Sequence, residues 1–569
     1  MTRSRSAGEA GETDALLAVT FVAVVTVPLL AVLRSWDDNT LTSWNWVFSF
    51  VDPLRVYLLV LAGTGLSFLL SRSELLERSP LVPLPVLALL AVLPLWQEPE
   101  MILDASRYFL QAKHLELSGI GSFLREWGFS IAAWTDLPLV PFLQGLIFRF
   151  FGEARIYIQA FTSTLFSLTL VLTYLIGKRI YDRETGLFAA LLLLGIPYLL
   201  VQVPLMLVDV PTMFFVTLAI HAFLEALESG GPARTAFASM AVFFAVFCKY
   251  SAGLMLLVLL VIVFVLHRKG REAVLRRSLQ VLVPAVVLSL AALLAKYEVV
   301  SAQVSLLASY QLPGLGRWQE GLASSFLFQV HPLITVAALV GSVQALRKRE
   351  LWFAVPAWFA VFVLFIQHER IRYFLPLFPL FTLMAARGIR ELRGKVVRRY
   401  LVYCVVTASI AIGASAYVPF FRQTGMANLQ EAGQFLNRLG DLDNLEVLAL
   451  PQHTSAGNTE AALPLLDLYT ARNIVYRRNT ASRPDEKIIA LSPLRFTWET
   501  PLPAFYQERK ERACLPLAVI SSSVRNDLGP GPPGASVPPL AEFRSSTGVF
   551  RYKSFVTLFG KSCLDETGQ

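Results

Sequence analysis

The feature that most constrains this chain is a series of long apolar runs without a charged side chain. Ala15–Leu33, Leu191–Pro204 and Met255–Leu266 contain no Asp, Glu, Lys or Arg. An apolar helix of about 20 residues crosses the hydrocarbon core of a bilayer, which is roughly 30 Å thick. Charged residues make up 16% of the 569 residues, whereas soluble proteins average about 25%. The sequence therefore predicts a polytopic α-helical membrane protein with about thirteen transmembrane helices.

The apolar runs place these spans within the first 420 residues. They cover roughly residues 15–33, 54–70, 80–96, 156–177, 186–204, 208–227, 234–248, 250–267, 279–297, 323–346, 351–366, 372–388 and 400–420. One further apolar segment, Leu137–Phe151, is too short to span comfortably. It is predicted to be a juxtamembrane helix in the first large outer loop, lying in the membrane interface.

Basic residues are concentrated in the segments that join alternate spans. If the N-terminus is cytoplasmic, the inner segments hold 22 Lys and Arg residues and the outer segments before Phe421 hold 12. This distribution is the positive-inside bias of membrane proteins. We therefore expect a multi-pass protein of the cell membrane whose segment from Phe421 onward is extracytoplasmic. The net charge of +9 then reflects topology, and no nucleic-acid partner is expected.

The segment after the last span is polar and differs in character. Helix-like and strand-like patterns alternate along it, which is typical of a small α/β domain; they cover Leu429–Leu439, Glu446–Leu450, Glu460–Tyr469, Asn473–Tyr476 and Lys487–Leu491. Gly529–Gly534 indicates a loop. Cys514 and Cys563 also lie here, where an oxidising compartment would permit one disulfide.

Four parts of the chain follow from these patterns. Residues 1–96 hold about three N-terminal transmembrane helices, 97–155 the outer loop, 156–420 the main bundle and 421–569 the extracytoplasmic α/β domain. The role of the last part is left open between docking an acceptor and capping the outer face.

Charged side chains collect at the predicted outer ends of the spans. They include Glu98, Glu100, Asp104, Arg107, Asp136, Asp209, Lys249, His368, Arg370 and Arg372. A charge at the centre of a membrane helix costs about 2.5–3.5 kcal/mol on insertion scales. Taken singly, each residue fits a solvated span end; Asp209 also fits a helix N-cap, and Lys249 a side chain reaching toward lipid headgroups. Together, cations and carboxylates on one side of the membrane are typical of a site that holds a phosphate and accepts a proton.

Several motifs in this region resemble one enzyme superfamily. Asp104-Ala-Ser-Arg-Tyr108 resembles the first-loop acidic motif of the GT-C superfamily of polyprenyl-phosphate-sugar-dependent glycosyltransferases. The most similar branch is that of the protein O-mannosyltransferases and the lipid A aminoarabinose transferases. The resemblance continues through Asp136–Gly145, Phe151-Gly152-Glu153, Gly177-Lys-Arg179, Gly186–Ala190, Asp209-Val-Pro211, Cys248-Lys249-Tyr250 and Arg370–Pro376.

The chain also departs from that pattern. Ala105 stands where the family usually has Glu, and Leu137 replaces the first Pro of the juxtamembrane motif. Thr135 or Asp136 stands where the aminoarabinose transferases have a Lys, and two extra spans precede the first loop. These differences argue against transfer of aminoarabinose to lipid A as the specific activity.

The residues and the resemblance together predict a GT-C-like membrane glycosyltransferase. It would move a sugar from a polyprenyl-phosphate donor to a hydroxyl acceptor (a lipid, glycan or protein) on the extracytoplasmic face, with inversion. The predicted roles are catalytic for Asp104 and Asp209, donor-phosphate binding for Lys249, Arg370, Arg372 and Tyr373, and substrate binding for Arg107, Tyr108, Asp136 and His368. No cofactor is assigned, although Asp104 and Asp136 leave a divalent cation open.

Two other classes of protein compete with this interpretation. A transporter or lipid-linked glycan flippase also uses intramembrane charges, but the charges here lie on one side and no inverted repeat is visible. A polymerase or ligase that uses a diphosphate-linked glycan would share the same broad architecture.

Overall fold

We describe a computed structural model of the chain. It describes residues 2–37, 44–270, 272–314, 320–366, 370–440, 443–450, 457–477, 485–506, 515–521, 538–544 and 554–562. Helices dominate, and a five-stranded sheet lies in the C-terminal part. The predicted pairing of Cys514 with Cys563, the loop at Gly529–Gly534 and the site residue His368 fall outside the described residues.

The helices before the bundle form an N-terminal group and an outer-loop group. The N-terminal group comprises α1 Thr2–Leu33, α2 Trp44–Val47, α3 Pro53–Ser71, α4 Leu75–Arg78 and α5 Pro83–Val92. The outer loop comprises α6 Asp104–Ser118, α7 Ile120–Glu126 and α8 Leu139–Phe151. The predicted juxtamembrane segment is therefore helical, as α8.

The main bundle follows directly. Its first half is α9 Arg155–Ile180, α10 Arg183–Leu194, α11 Pro197–Gln202, α12 Asp209–Ser229, α13 Pro232–Val246, α14 Tyr250–Met255, α15 Val258–Arg268, α16 Ala273–Ala295 and α17 Tyr297–Leu306. Its second half is α18 Pro332–Arg347, α19 Ala354–Ile366, α20 Ile371–Phe374, α21 Phe378–Ile389, α22 Lys395–Ile412 and α23 Val418–Thr424.

Within the described ranges, seven helical segments are long and apolar enough to cross a membrane. They are Gly11–Trp36, Pro53–Ser71, Arg155–Ile180, Asp209–Ser229, Tyr250–Arg268, Ala273–Ala295 and Lys395–Thr424. The other predicted spans fall on shorter or interrupted helices. For example, the span predicted over 323–346 begins as a π-helical turn, Ser324–Gln329, and becomes a regular helix only at Pro332. Proline occupies the first position of that helix because it has no amide hydrogen to donate there.

Glycines in the resemblance motifs permit close helix packing. A Cβ atom added to Gly177 in α9 would lie 2.6 Å from Cα of Gly186 in α10, and one added to Gly186 would lie 2.4 Å from the Tyr174 carbonyl oxygen. In a membrane the hydrophobic effect does not drive helices together, so their association depends on close packing. Small residues allow the helix backbones to approach closely. Both glycines are therefore required by packing.

The bundle brings the predicted outer segments to one end and the predicted inner segments to the other. Helix α12 illustrates this, because Asp209 at its start and Glu225 near its end contact different groups of residues; Glu225 pairs with Arg179 at 2.6 Å. The 16 helical positions from Asp209 to Glu225 separate the two groups by about 24 Å. At the Glu225 end, Arg387 pairs with Glu350 at 2.5 Å, and both line a cavity of about 540 Å³.

The C-terminal part is an α/β domain, as the alternating patterns predicted. Its helices are α24 Ala427–Arg438, α25 Ala462–Asp467, α26 Glu486–Leu491 and α27 Phe496–Glu499. Its strands are β1 Asn444–Ala449, β2 Asn473–Arg477, β3 Leu515–Ser521, β4 Ala541–Phe543 and β5 Phe555–Ser562. The strand order is β2-β1-β3-β5-β4. Strand β1 is parallel to β2 and β3, whereas β5 is antiparallel to β3 and β4.

This domain is docked onto the outer loop through buried polar contacts. The Nζ atom of Lys113 in α6 lies 2.6 Å from Oδ2 of Asp467 and 3.0 Å from Oε1 of Glu153. The hydroxyl of Tyr506 donates to Asp467 at 2.6 Å. Burial and the neighbouring Asp467 carboxylate raise the pKa of Glu153 to about 9, and the Lys113 ammonium offsets this rise only in part. The contacts fix the domain against the helix that carries Asp104.

Candidate functional site

A cavity of about 490 Å³ lies where the outer segments of the bundle meet the C-terminal domain. Its wall contains eight of the residues predicted from the sequence: Asp104, Arg107, Tyr108, Asp136, Lys249, Arg370, Arg372 and Tyr373. The ninth described residue, Asp209, lies behind the wall with 1% of its surface exposed. Residues as far apart in sequence as 104 and 373 therefore line one cavity.

Arg372 joins two carboxylates at the base of this cavity. Its Nη1 donates to Oδ2 of Asp104 at 2.5 Å, and its Nε donates to Oδ2 of Asp209 at 2.6 Å. The Nζ of Lys249 donates to the other oxygen of Asp209 at 2.7 Å and lies 4.9 Å from the ring centroid of Tyr373. Asp209 is the first residue of α12 and does not cap it; the capping position is Val208. It holds the two cations in place.

A second branch of the network runs along α6. Arg107 places its Nε 2.5 Å from Oδ2 of Asp136 and donates from Nη2 to Oδ1 at 2.9 Å. The same Nη2 lies 3.9 Å from Asp104. Gln111, one turn further along α6, donates to Oδ2 of Asp136 at 3.1 Å. Residues 104, 107 and 111 recur at helical spacing and so lie on the same face of α6.

Local structure explains how each side chain reaches the cavity. Asp104 lies in the first turn of α6, where the unpaired amides of a helix N-terminus favour a negative charge. Lys249 and Arg370 immediately precede α14 and α20 in extended conformation. Lys249 and Arg370 thus reach the cavity from breaks between helices.

The electrostatics of Asp104 depend on the neighbouring guanidinium groups, those of Arg372 and Arg107 before that of Arg370. Burial alone would raise the pKa of Asp104, but Arg372 and Arg107 lower it to about 2. Burial also raises the pKa of Asp136, against the opposing effects of Arg107 and Gln111. The Asp104 carboxylate, 22% exposed, is therefore ionised and accessible from the cavity.

Sequence reasoning did not identify several residues that line the cavity or contact its wall. Glu320 lies 3.7 Å from Nε of Arg370 and is 2% exposed, and the Tyr250 hydroxyl donates to Gln303. Trp134, Tyr310 and Phe496 also line the cavity. Of these, only Tyr250 had a signal in the sequence, since it follows Lys249 within a motif.

Other outer charges lie away from the cavity. Glu100 pairs with Arg155 at 2.9 Å and accepts from the Met206 amide. Glu98 pairs with Arg422 at 2.7 Å. These contacts tie the first loop to the bundle.

The described residues contain no group of three or more His, Cys, Asp or Glu side chains suited to holding a metal ion. Asp104 and Asp136, the two candidate ligands of a divalent cation, each contact Arg107. In this arrangement a guanidinium group occupies the position between them.

The arrangement can bind an anion and accept a proton in the same place. Among the described groups, four cations (Arg107, Lys249, Arg370, Arg372) offset four carboxylates (Asp104, Asp136, Asp209, Glu320). A phosphate would compete with these carboxylates for the cations. Any cation taken up by the ligand leaves its former carboxylate free to act as a base.

Comparisons with known proteins find two families that match parts of the chain. Residues 136–295 match the family model of the dolichyl-phosphate-mannose-protein mannosyltransferases, and residues 322–446 match that of the Alg9-like mannosyltransferases. A search of curated proteins gave no match.

Solved structures show the same fold. ArnT from Cupriavidus metallidurans bound to undecaprenyl phosphate superposes with a TM-score of 0.53 at 12% identity, covering 84% of this chain and 97% of that one. ArnT of the same organism in the apo state gives a TM-score of 0.53 at 13% identity, covering 83% and 97%. Two mannosyltransferase family models match successive parts of the chain and the fold is shared with ArnT; the protein is a multi-pass membrane glycosyltransferase that is similar to the GT-C superfamily in sequence and fold.

Proposed function

We propose that this enzyme transfers a sugar from a polyprenyl-phosphate donor to a hydroxyl group of a lipid, glycan or protein. The observation that carries the proposal is the position of Arg372, which contacts Asp104 and Asp209 in one cavity. A phosphate-binding cation and an ionised carboxylate thus lie side by side. The binding of undecaprenyl phosphate by ArnT of the same fold supports a lipid phosphate as the donor.

The reaction proposed is a single displacement. The acceptor oxygen bonds to the anomeric carbon while the bond from that carbon to the phosphate oxygen breaks, and the bonding electrons leave with the phosphate. The acceptor proton passes to Asp104. The phosphate gains one negative charge as Asp104 loses one, so the net charge of the site is unchanged. Attack from the face opposite the leaving group inverts the anomeric configuration.

The cations have the task of stabilising the leaving phosphate. Lys249, Arg370 and Arg372 carry charge that interacts more strongly with the product phosphate than with the donor diester, which has one negative charge fewer. Asp209 keeps Lys249 and Arg372 together. Arg107, held by Asp136, is assigned to positioning the substrate beside Asp104.

The donor is also proposed to prepare the base. In the structure Asp104 and Arg372 form a close ion pair, and such a carboxylate is a weak proton acceptor. A donor phosphate that takes part of the guanidinium would raise the pKa of Asp104. Proton transfer is then favoured only when donor is present.

The predicted membrane orientation supports sugar transfer on the extracytoplasmic side. The positive-inside bias predicts a cytoplasmic N-terminus and an extracytoplasmic cavity in the cell membrane. Tyr373 and Tyr108 lie in the cavity wall and are assigned to donor and substrate contact. The parts 1–96, 97–155, 156–420 and 421–569 are proposed as the functional divisions of the chain.

Donor discrimination tests this function. Purified enzyme in nanodiscs is given a radiolabelled polyprenyl-monophosphate sugar, and separately a polyprenyl-diphosphate oligosaccharide, with a mixture of hydroxyl acceptors. We expect label to move to an acceptor from the monophosphate only. Transfer from the diphosphate alone would indicate a polymerase or ligase, and movement of intact donor between leaflets without transfer would indicate a flippase.

The pH dependence of the reaction tests the electrostatics of the base. A carboxylate with a pKa near 2 stays ionised as the pH falls to about 4, so kcat/KM should not decline between pH 7 and 4 through protonation of Asp104. In Arg107→Gln one of the cations that lower this pKa is gone. Because the base is active when deprotonated, a raised pKa moves the acid limb to higher pH, by about 1–2 units.

Arg107→Lys is the matched control for this profile. It keeps the positive charge, so its acid limb should stay close to that of the wild-type enzyme. An acid limb of Arg107→Gln at the wild-type position would contradict the assignment of Asp104 as the titrating base.

A further inference from the structure

Three aromatic residues that the proposed mechanism does not use form one group in the cavity. Trp134, Tyr310 and Phe496 all line it. The ring centroids of Trp134 and Tyr310 are 5.9 Å apart at 74°, and those of Trp134 and Phe496 are 6.4 Å apart at 57°. Tilted and edge-on contacts of this kind are the favoured geometry of aromatic pairs. We call these three residues the aromatic wall.

The aromatic wall is assembled from three separate parts of the chain. Trp134 belongs to the outer loop, Tyr310 to the π-helical turn Leu307–Gln311, and Phe496 to the start of α27 in the C-terminal domain. The Tyr310 hydroxyl donates to the carbonyl of Ser492 at 2.5 Å. The C-terminal domain therefore supplies Phe496 to the cavity surface, and through Ser492 it also holds Tyr310.

Trp134 is held in an unfavourable backbone conformation. Its φ is 49°, in the left-handed region that a bulky side chain rarely adopts. The segment is held on α6 by Gln111, whose Nε2 donates to the Ala132 carbonyl at 2.9 Å. Such conformations persist only where surrounding contacts enforce them, and they cluster at ligand sites.

The side-chain exposures distinguish the roles of the three rings. Tyr310 and Phe496 are each 6% exposed, whereas Trp134 is only partly buried. Trp134 is therefore the ring that offers surface to a ligand. The other two support it.

The aromatic wall is adjacent to the reacting groups. The guanidinium carbon of Arg107 lies 4.6 Å from the ring centroid of Phe496, and the Nη2 of the same residue lies 3.9 Å from Asp104. A sugar attached to a phosphate at Arg372 must place its anomeric carbon near Asp104. Its ring then lies in the cavity that Trp134 lines.

We propose that Trp134 binds the ring of the transferred sugar by stacking, and that Tyr310 and Phe496 are positioning residues that hold Trp134 for this contact. The inference rests on the proposed function. One face of a pyranose ring carries C–H groups, which pack favourably on the negative face of an indole. The C–H groups are apolar, so the contact also removes apolar surface from water. The C-terminal domain is thereby part of the active site.

Binding measurements on two lipids test this role of Trp134. Wild type, Trp134→Leu and Trp134→Phe are titrated in nanodiscs with a polyprenyl-phosphate sugar and with polyprenyl phosphate alone. We expect Trp134→Leu to weaken binding of the sugar-bearing lipid about tenfold or more without changing the Kd of the bare lipid phosphate. Trp134→Phe keeps a ring and should lose less than about threefold.

Equal weakening for both lipids, or no weakening for either, would overturn the stacking role. Failure of the wild-type enzyme to bind bare polyprenyl phosphate would instead overturn the proposed function. The two failures are thus distinguishable.

A second pair of variants tests the contribution of the C-terminal domain. Phe496→Leu should raise the KM for the donor at least fivefold, because Trp134 loses support. Phe435→Leu is the matched control; its ring contacts Phe543 at 5.7 Å in the same domain and does not line the cavity. If both variants changed KM equally, Phe496 would act only through the stability of the domain, and its positioning role would be wrong.

Discussion

Asp104→Asn is expected to lower kcat by about 10²–10⁴-fold, the usual contribution of a general base. Asparagine has nearly the same size and fills the same space, but it cannot take the acceptor proton. It also removes the carboxylate that competes with donor phosphate for Arg372. We therefore expect the Kd for polyprenyl phosphate to stay the same or fall while transfer is lost. Single-turnover transfer and lipid binding, measured on the same preparation, separate the two effects.

Asp52→Asn is the matched control for this variant. Asp52 caps α3 through a bond from the Leu54 amide at 2.9 Å, and asparagine caps helices about as well as aspartate. Its turnover should match that of the wild-type enzyme. Near-normal turnover of Asp104→Asn would remove Asp104 from the mechanism.

Arg372→Gln is expected to have the second large effect. The loss of one charged donor from a transition state typically costs about 10²–10³-fold in kcat. Because Arg372 is also assigned to donor binding, the KM for the donor should rise as well. Removing it leaves Asp104 and Asp209 without one of their buried partners, which also destabilises the fold. Activity is therefore measured per folded molecule, after thermal unfolding has been compared with that of the wild type.

Two further variants separate binding from stability. Arg372→Gln combined with Asp209→Asn removes a buried charge together with its partner, so it should recover stability but not transfer. Arg422→Gln is the matched surface control; this arginine is 61% exposed and pairs with Glu98, and exposed ion pairs contribute little. Wild-type donor KM and kcat in folded Arg372→Gln would contradict the role of Arg372.

The fold class and the superfamily were predictable from the sequence, and both predictions are confirmed. Apolar runs define membrane helices strongly because lipid tolerates few charges. The same constraint made the few outer charges conspicuous, and eight of those predicted for the site line one cavity. Their catalytic and binding roles stay predictions.

Other features depend on contacts that one sequence does not reveal. The pairing of Lys249 with Asp209 joins residues 40 positions apart, and Asp209 alone fits a helix cap equally well. Glu320 and Phe496 carry no motif, so only the folded chain brings Glu320 to Arg370 and Phe496 to the cavity. The strands β3, β4 and β5 were not predicted either; β3 lies in the sheet between β1 and β5, which are both distant from it in sequence.

The most direct test of the account is the position of a bound lipid phosphate. A structure of the enzyme in nanodiscs with polyprenyl phosphate should show the phosphate within hydrogen-bonding distance of Lys249, Arg370 and Arg372, with Asp104 no longer paired to Arg372. Phosphate bound elsewhere, for example at Arg387 in the opposite cavity, with the Asp104–Arg372 pair intact, would contradict the account.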